Sequence, residues 1–209
     1  MLGATFAAAQ VIAGIGAFVA GRLLDRFGAI GPFGVQAVFG AGPLLAATWA
    51  ENILIFAVLY AIGGGVIGAS GFYHVTTVAA ARIHPTAPAK AIAKLTLIGA
   101  FCSPIFIPLT AFVADVYGWR VGARMLALLA LGGALAGLAL RRQSSSDQHG
   151  PSENPISALR LALRSSGVRR MFSAYIAGGI AFSTVLVYQV PIMTHSGLSL
   201  GMAGMFAGF

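Results

Sequence analysis

Few side chains in this sequence could do chemistry, and their spacing decides against most of it. The five acids are Asp25, Glu51, Asp115, Asp147 and Glu153, and all fall outside the long apolar runs or at their ends, so no buried carboxylate pair is available for acid–base work. The four histidines, His74, His84, His149 and His195, lie in four different segments without metal-ligand spacing. The single cysteine, Cys102, cannot form a disulfide within the chain or build a thiolate zinc site. Gly63 to Gly65 sit inside an apolar run, not between a strand and a helix, so they do not make a phosphate loop. These patterns argue against an enzyme and imply no cofactor and no metal.

Two other groups of residues carry more. Gly21-Arg22-Leu23-Leu24-Asp25-Arg26-Phe27-Gly28 places an acid and two bases between apolar runs. Asp25 can face the positive end of another helix, Arg26 can pair with it or with a lipid phosphate, and Gly28 permits a sharp turn. Within the apolar runs, polar residues are the better guide to a solute path, because a charge at mid-bilayer costs at least about 2.5 kcal/mol. Gly64, Gly68 and Gly71 fall at i, i+4 and i+7 and predict a flat face for helix packing. Gly63, Ser70 and His74 make a flanking stripe, and His74 could contact a proton or a carboxylate, or simply hydrogen-bond a neighbouring helix. Tyr188 and Gln189 are two further candidates for a solute cavity, and Gln10 a weaker one. Tyr73 reads as a packing or lipid-facing residue.

The elements that must position these groups follow from composition. Of 209 residues 58% are hydrophobic and 9% charged, against roughly 25% charged in a soluble domain. The net charge of +8 does not point to nucleic acid, since the basic residues are scattered between apolar segments without interleaved aromatics. A helix needs about 20 apolar residues to cross a hydrocarbon core of about 30 Å, and six stretches qualify: Leu2 to Ala20, Ile30 to Trp49, Ile53 to Ala80, Ala91 to Ala114, Val121 to Leu140 and Met171 to Met193. A shorter apolar stretch, Leu198 to Phe209, reads as a seventh span cut short. The runs are apolar on every face, which excludes the alternation of an outer-membrane barrel. Met1 to Gln10 has no basic n-region, so the first run is not read as a signal peptide. The fold class expected is an all-α polytopic transmembrane helix bundle.

Lys and Arg set the orientation. Arg22 and Arg26, then Arg82 and Lys90, then Arg141, Arg142, Arg160, Arg164, Arg169 and Arg170 mark cytoplasmic connections, while Trp49 and Trp119 mark external interfaces. Lys94 and Arg124, near helix ends, read as anchors that reach the headgroups. This places Met1 outside. The segment 141–170 is the one long polar stretch: it starts as a flexible linker, and from Asn154 and Pro155 it predicts a short amphipathic helix on the inner leaflet, a solvated linker being the other reading.

The string Gly21-x-x-x-Asp25-Arg26-x-Gly28 resembles the loop between helices 2 and 3 of the major facilitator superfamily. The family's further basic residues are replaced here by Ala29, Ile30 and Gly31. Gly118-Trp119-Arg120 is similar to the family's turn between helices 5 and 6, and the basic stretch 141–170 sits where the family joins its two six-helix halves. Counted so, the six spans resemble helices 2 to 7, with the start of helix 8 from Leu198. The resemblance implies a partial major facilitator fold: residues 1–140 as a half-bundle lacking its first helix, 141–170 as the linker, and 171–209 as the start of the second half.

The same resemblance implies secondary-active transport of a small organic solute by alternating access, with Gly21, Asp25, Arg26 and Gly28 as the gating turn. The run with Gly99, Ser103, Pro104 and Pro108, and the run Val190-Pro191-Ile192-Met193, are similar to bacterial monocarboxylate and oxalate/formate carriers, which implies an organic anion as solute and leaves a proton as the candidate coupling ion. Many sugar and drug carriers of the family have an arginine in helix 4, but Leu59 to Gly65 contains none. The partners implied are the solute, the lipid bilayer of a cell (plasma or inner) membrane, and the absent helices needed for activity. A non-transporting membrane scaffold or subunit, or an inactive truncated carrier, remains the alternative.

Overall fold

The computed structural model describes residues 2–139, 160, 161 and 163–208. The described residues form helices and turns and no strand. Six helical runs are long and apolar enough to cross a membrane: Gly3–Phe27, Ile30–Ala47, Ile53–Ile83, Pro88–Tyr117, Trp119–Ala139 and Ser166–His195. The chain is a multi-pass helical membrane protein. Most of the amphipathic helix expected from Pro155 lies outside the described residues.

Helix α1 (Leu2–Phe27) extends beyond the apolar run, through the charged string, because Arg22, Leu23, Leu24 and Arg26 are good helix formers and Arg26 in the last turn complements the dipole. Gly28 then reverses the chain at φ 63°, a backbone conformation that a Cβ disfavours. Gly118 (φ 85°) and Gly197 (φ 96°) do the same between later helices. Helix α2 (Ile30–Ala47) is widened into a π-helical segment over Gln36–Ala41. Asn52 caps the next helix, its side-chain oxygen accepting from the backbone N–H of Leu54 at 2.8 Å and of Ile55 at 3.4 Å.

The third run, expected as one helix, is divided. Helix α3 (Ile53–Gly71) stops at Phe72, which is extended (φ −83°, ψ 174°), and α4 (Tyr73–Ile83) resumes from it. The fourth run is divided too, into α5 (Pro88–Ala100) and α6 (Cys102–Tyr117). Pro104 has no N–H to offer the carbonyl four residues before it, so the run is interrupted just upstream, at Phe101, and Pro104 falls in the first turn of α6, where the missing donor is tolerated. Helices α7 (Trp119–Ala139), α8 (Ser166–His195) and α9 (Leu200–Gly208) complete the described chain.

Close packing is concentrated on α1, α2, α3 and α7. The pair α1 and α3 is the most extensive, with Gly65 set against Ile12, Gly68 against Ala13, and Gly16 against Ala69. Gly63 of α3 takes the backbone of α2 at Gly40 and Leu44, and Gly137 of α7 leaves room for the ring of Phe33. Helix α9 lies on α6, Gly204 on Ala111 and Gly208 on Pro108. By contrast α5, α6 and α8 have no buried residue.

Candidate functional site

The charged turn is tied to a distant part of the chain. At the end of α1, Asp25 forms an ion pair with Arg82 of α4, and the same guanidinium donates from Nη1 to the carbonyl of Leu24 at 3.0 Å. Beneath the pair, Ala20 and Leu24 of α1 meet Val75 and Ala79 of α4 in a buried apolar cluster. The carboxylate is 68% exposed and the guanidinium 38%, so the Coulomb attraction is screened and the pair is of the kind worth about 1 kcal/mol or less. The contact can therefore be made and broken at small cost. Arg26 does not take part: its guanidinium lies 5.2 Å from the ring centroid of Phe27. Gly21 has open space beside it, and Gly28 makes the turn. Sequence reading had not paired Arg82 with Asp25, since the two are 57 positions apart.

A cavity of about 390 Å³ adjoins this pair, between α4 and α5, lined by Thr77, Val78, Arg82, Pro85, Pro88 and Ile92 among others.

The residues expected to face a solute are distributed over three places. Ser70 is buried, in the last turn of α3. His74 lies past the break at Phe72, and its Nε2 is 2.7 Å from the carbonyl oxygen of Ala69. In an unbroken helix that carbonyl would accept from the N–H of Tyr73; here the imidazole, in its Nε2–H form, donates to it. Tyr188 reaches the opposite end of the bundle, where its hydroxyl packs on Gly3 at the start of α1. Gln189 turns to α9 and donates to the carbonyl of Ala207 at 3.5 Å. Gln10 is exposed, and Tyr73 sets its hydroxyl over Gly99 of α5. Of the three glycines read as one face, Gly64 lies near Ala9, Gly68 on Ala13, and Gly71 instead under the side-chain oxygen of Gln36.

Gln36 is the polar residue that sequence reading passed over. It is buried in the π-helical segment and donates from Nε2 to the carbonyl of Ala130 at 3.1 Å, tying α2 to α7. Its Oε1 is buried without a hydrogen-bond partner. The available signal was a lone glutamine in the run from Ile30 to Trp49.

At the end of the bundle away from Asp25, two arginines sit on two tryptophans. The Arg124 guanidinium lies 4.9 Å from the Trp49 ring centroid and its Nε donates to Thr48 at 3.1 Å. Arg124 thus holds α7 to the end of α2 instead of only reaching outward. Arg120 lies 4.7 Å from the ring centroid of Trp119. No group of three or more metal-binding side chains gathers among the described residues.

Comparison with known proteins adds the last observation. The family model described as Major Facilitator Superfamily matches residues 1–209. No curated protein and no solved structure gave a match. Six membrane-crossing helical runs, matched by that family model over their whole length, show that the chain belongs to the Major Facilitator Superfamily, whose members carry small solutes across membranes.

Proposed function

We propose that this chain acts in secondary-active transport of a small organic solute by alternating access, and that Asp25 and Arg82 form a latch which closes one side of the path and opens in each cycle. The observation that supports this reading is the half-exposed ion pair joining α1 to α4 above a small apolar cluster. A pair this exposed is strong enough to bias a state and weak enough to release. In this reading Gly21, Asp25, Arg26 and Gly28 are the gating turn on the cytoplasmic side of a plasma or inner membrane. Residues 1–140 belong to one half-bundle, 141–170 to the linker and 171–209 to the other half. Ser70, His74, Tyr188 and Gln189 are the candidate cavity residues. An organic anion is the favoured solute class, on the texture of the runs around Pro104 and Pro191, and a proton is the candidate coupling ion.

The test is solute uptake by cells expressing the full reading frame that contains this sequence, compared with Asp25→Asn. The variant is expected to insert normally and lose most of its uptake. Uptake equal to that of the unmodified protein removes the latch, and absence of uptake of any offered solute by the unmodified protein favours a scaffold.

A further inference from the structure

The cavity at the far end of the bundle from Asp25 has no role in the latch, and its walls are chemically selective. It measures about 420 Å³ and is lined by Thr5 and Phe6 of α1, Phe56 and Tyr60 of α3, and Leu186 and Val187 of α8. Among the described residues no charged side chain lines it. Its volume falls in the range of small-molecule sites, about 300–1,000 Å³. An apolar cavity of about 150 Å³ already admits benzene, so this space holds one ring with its substituents.

The aromatic wall is fixed before anything binds. Phe56 stacks on Tyr60 with ring centroids 5.8 Å apart and planes 30° apart. On its other side Trp119 meets Phe56 edge to face at 5.3 Å and 83°. Both spacings fall within the about 4.5–7 Å at which ring pairs attract each other. A ring held on two sides pays little ordering cost when a third ring joins. Tyr60 adds a phenol hydroxyl to the same wall, which suits a polar substituent on an aromatic body. The opposite wall, Leu186 and Val187, belongs to α8.

We infer that this cavity is a seat for the aromatic ring of a small solute, with Phe6, Phe56 and Tyr60 as its specificity-determining residues. The inference rests on the transport reading and deepens it, by assigning the solute a planar aromatic body whatever charge it carries.

The experiment is binding of radiolabelled benzoate to the purified full chain in lipid nanodiscs, with unlabelled benzamide and propionate as competitors. Binding is expected to saturate, with benzamide displacing the label and propionate failing to do so. Phe56→Ala is expected to weaken binding by roughly tenfold or more. Leu186→Trp fills the cavity from the unburied helix α8, leaves the packing of α1 on α3 untouched, and is expected to abolish binding while the protein stays monodisperse. Tyr175→Phe, at a position of α8 that is 85% exposed and outside the cavity, should bind as the unmodified chain does. Displacement by propionate as strong as by benzamide overturns the ring assignment and leaves the organic-anion reading standing. Absence of saturable binding, or binding that survives Leu186→Trp, overturns the proposal; uptake measured separately then decides whether the transport reading falls with it.

Discussion

Helices α1 and α3 meet through glycine and alanine, Gly65 on Ile12, Gly68 on Ala13 and Gly16 on Ala69, whereas α8 carries Gly178 and Gly179 at mid-length with nothing within 4 Å of either. The two regions use the same residue types and end in opposite states. Hydrocarbon is as apolar as leucine, so lipid supplies no hydrophobic force between helices, and close backbone approach has to provide the attraction instead. On α3 each small residue has a partner shaped to enter it. On α8 the adjacent glycines are flanked by large exposed side chains, Tyr175, Ile176, Ile180 and Phe182, and no neighbour enters. A glycine in a membrane helix thus becomes a packing site only when the facing helix offers a knob at the same height.

The sharpest way to break that contrast is to place the same bulky residue in both regions. Gly65→Leu puts its Cβ 2.6 Å from Ile12 and 2.9 Å from the Ala9 carbonyl, and overpacking of this kind costs about 1–3 kcal/mol or more. Thermal denaturation in detergent should show a clear drop in Tm for Gly65→Leu and none for Gly178→Leu; equal drops would abolish the distinction. A smaller effect is expected at the helix break. His74→Ala leaves the Ala69 carbonyl without the imidazole donor and should cost about 1 kcal/mol, read as the same Tm shift, while hydrogen exchange at the Tyr73 amide slows if that N–H recaptures the carbonyl. Unchanged stability and exchange would remove the capping role of His74. The smallest shift belongs to Gln36. Gln36→Leu gives up one hydrogen bond to Ala130 and removes a buried oxygen without a partner, two terms of about 1 kcal/mol and opposite sign. Its Tm should stay near that of the unmodified protein, and a large fall would mean that Oε1 has a partner in the membrane.

The spans were legible because long apolar runs admit one structure in lipid, a helix with its backbone bonds satisfied internally. The turns at Gly28 and Gly118 were legible as glycines between charged or aromatic residues. Other features were not. The break at Phe72 carries no proline and is held by tertiary surroundings, with Gly71 under Gln36 and His74 on Ala69. The π-helical segment Gln36–Ala41 has no composition signal of its own. The partner of Asp25 could not be read because Arg82 comes from a helix whose direction is set by that same break. Periodicity assigns Gly64, Gly68 and Gly71 to one face, and the structure divides them between α1 and α2, since both of these helices pack on α3 and the face each takes is narrow. The cavity lined by Phe56 and Leu186 was out of reach for the same reason: it exists only where three helices distant in sequence converge.

The most direct test of the latch is a charge exchange. In cells expressing the full reading frame, Asp25→Arg alone and Arg82→Asp alone should each abolish solute uptake by placing like charges together, and the two combined should restore a substantial part of it, because the pair is exposed enough to tolerate reversal. Uptake that survives both single changes, or a double variant no better than either single one at equal membrane abundance, would contradict the account.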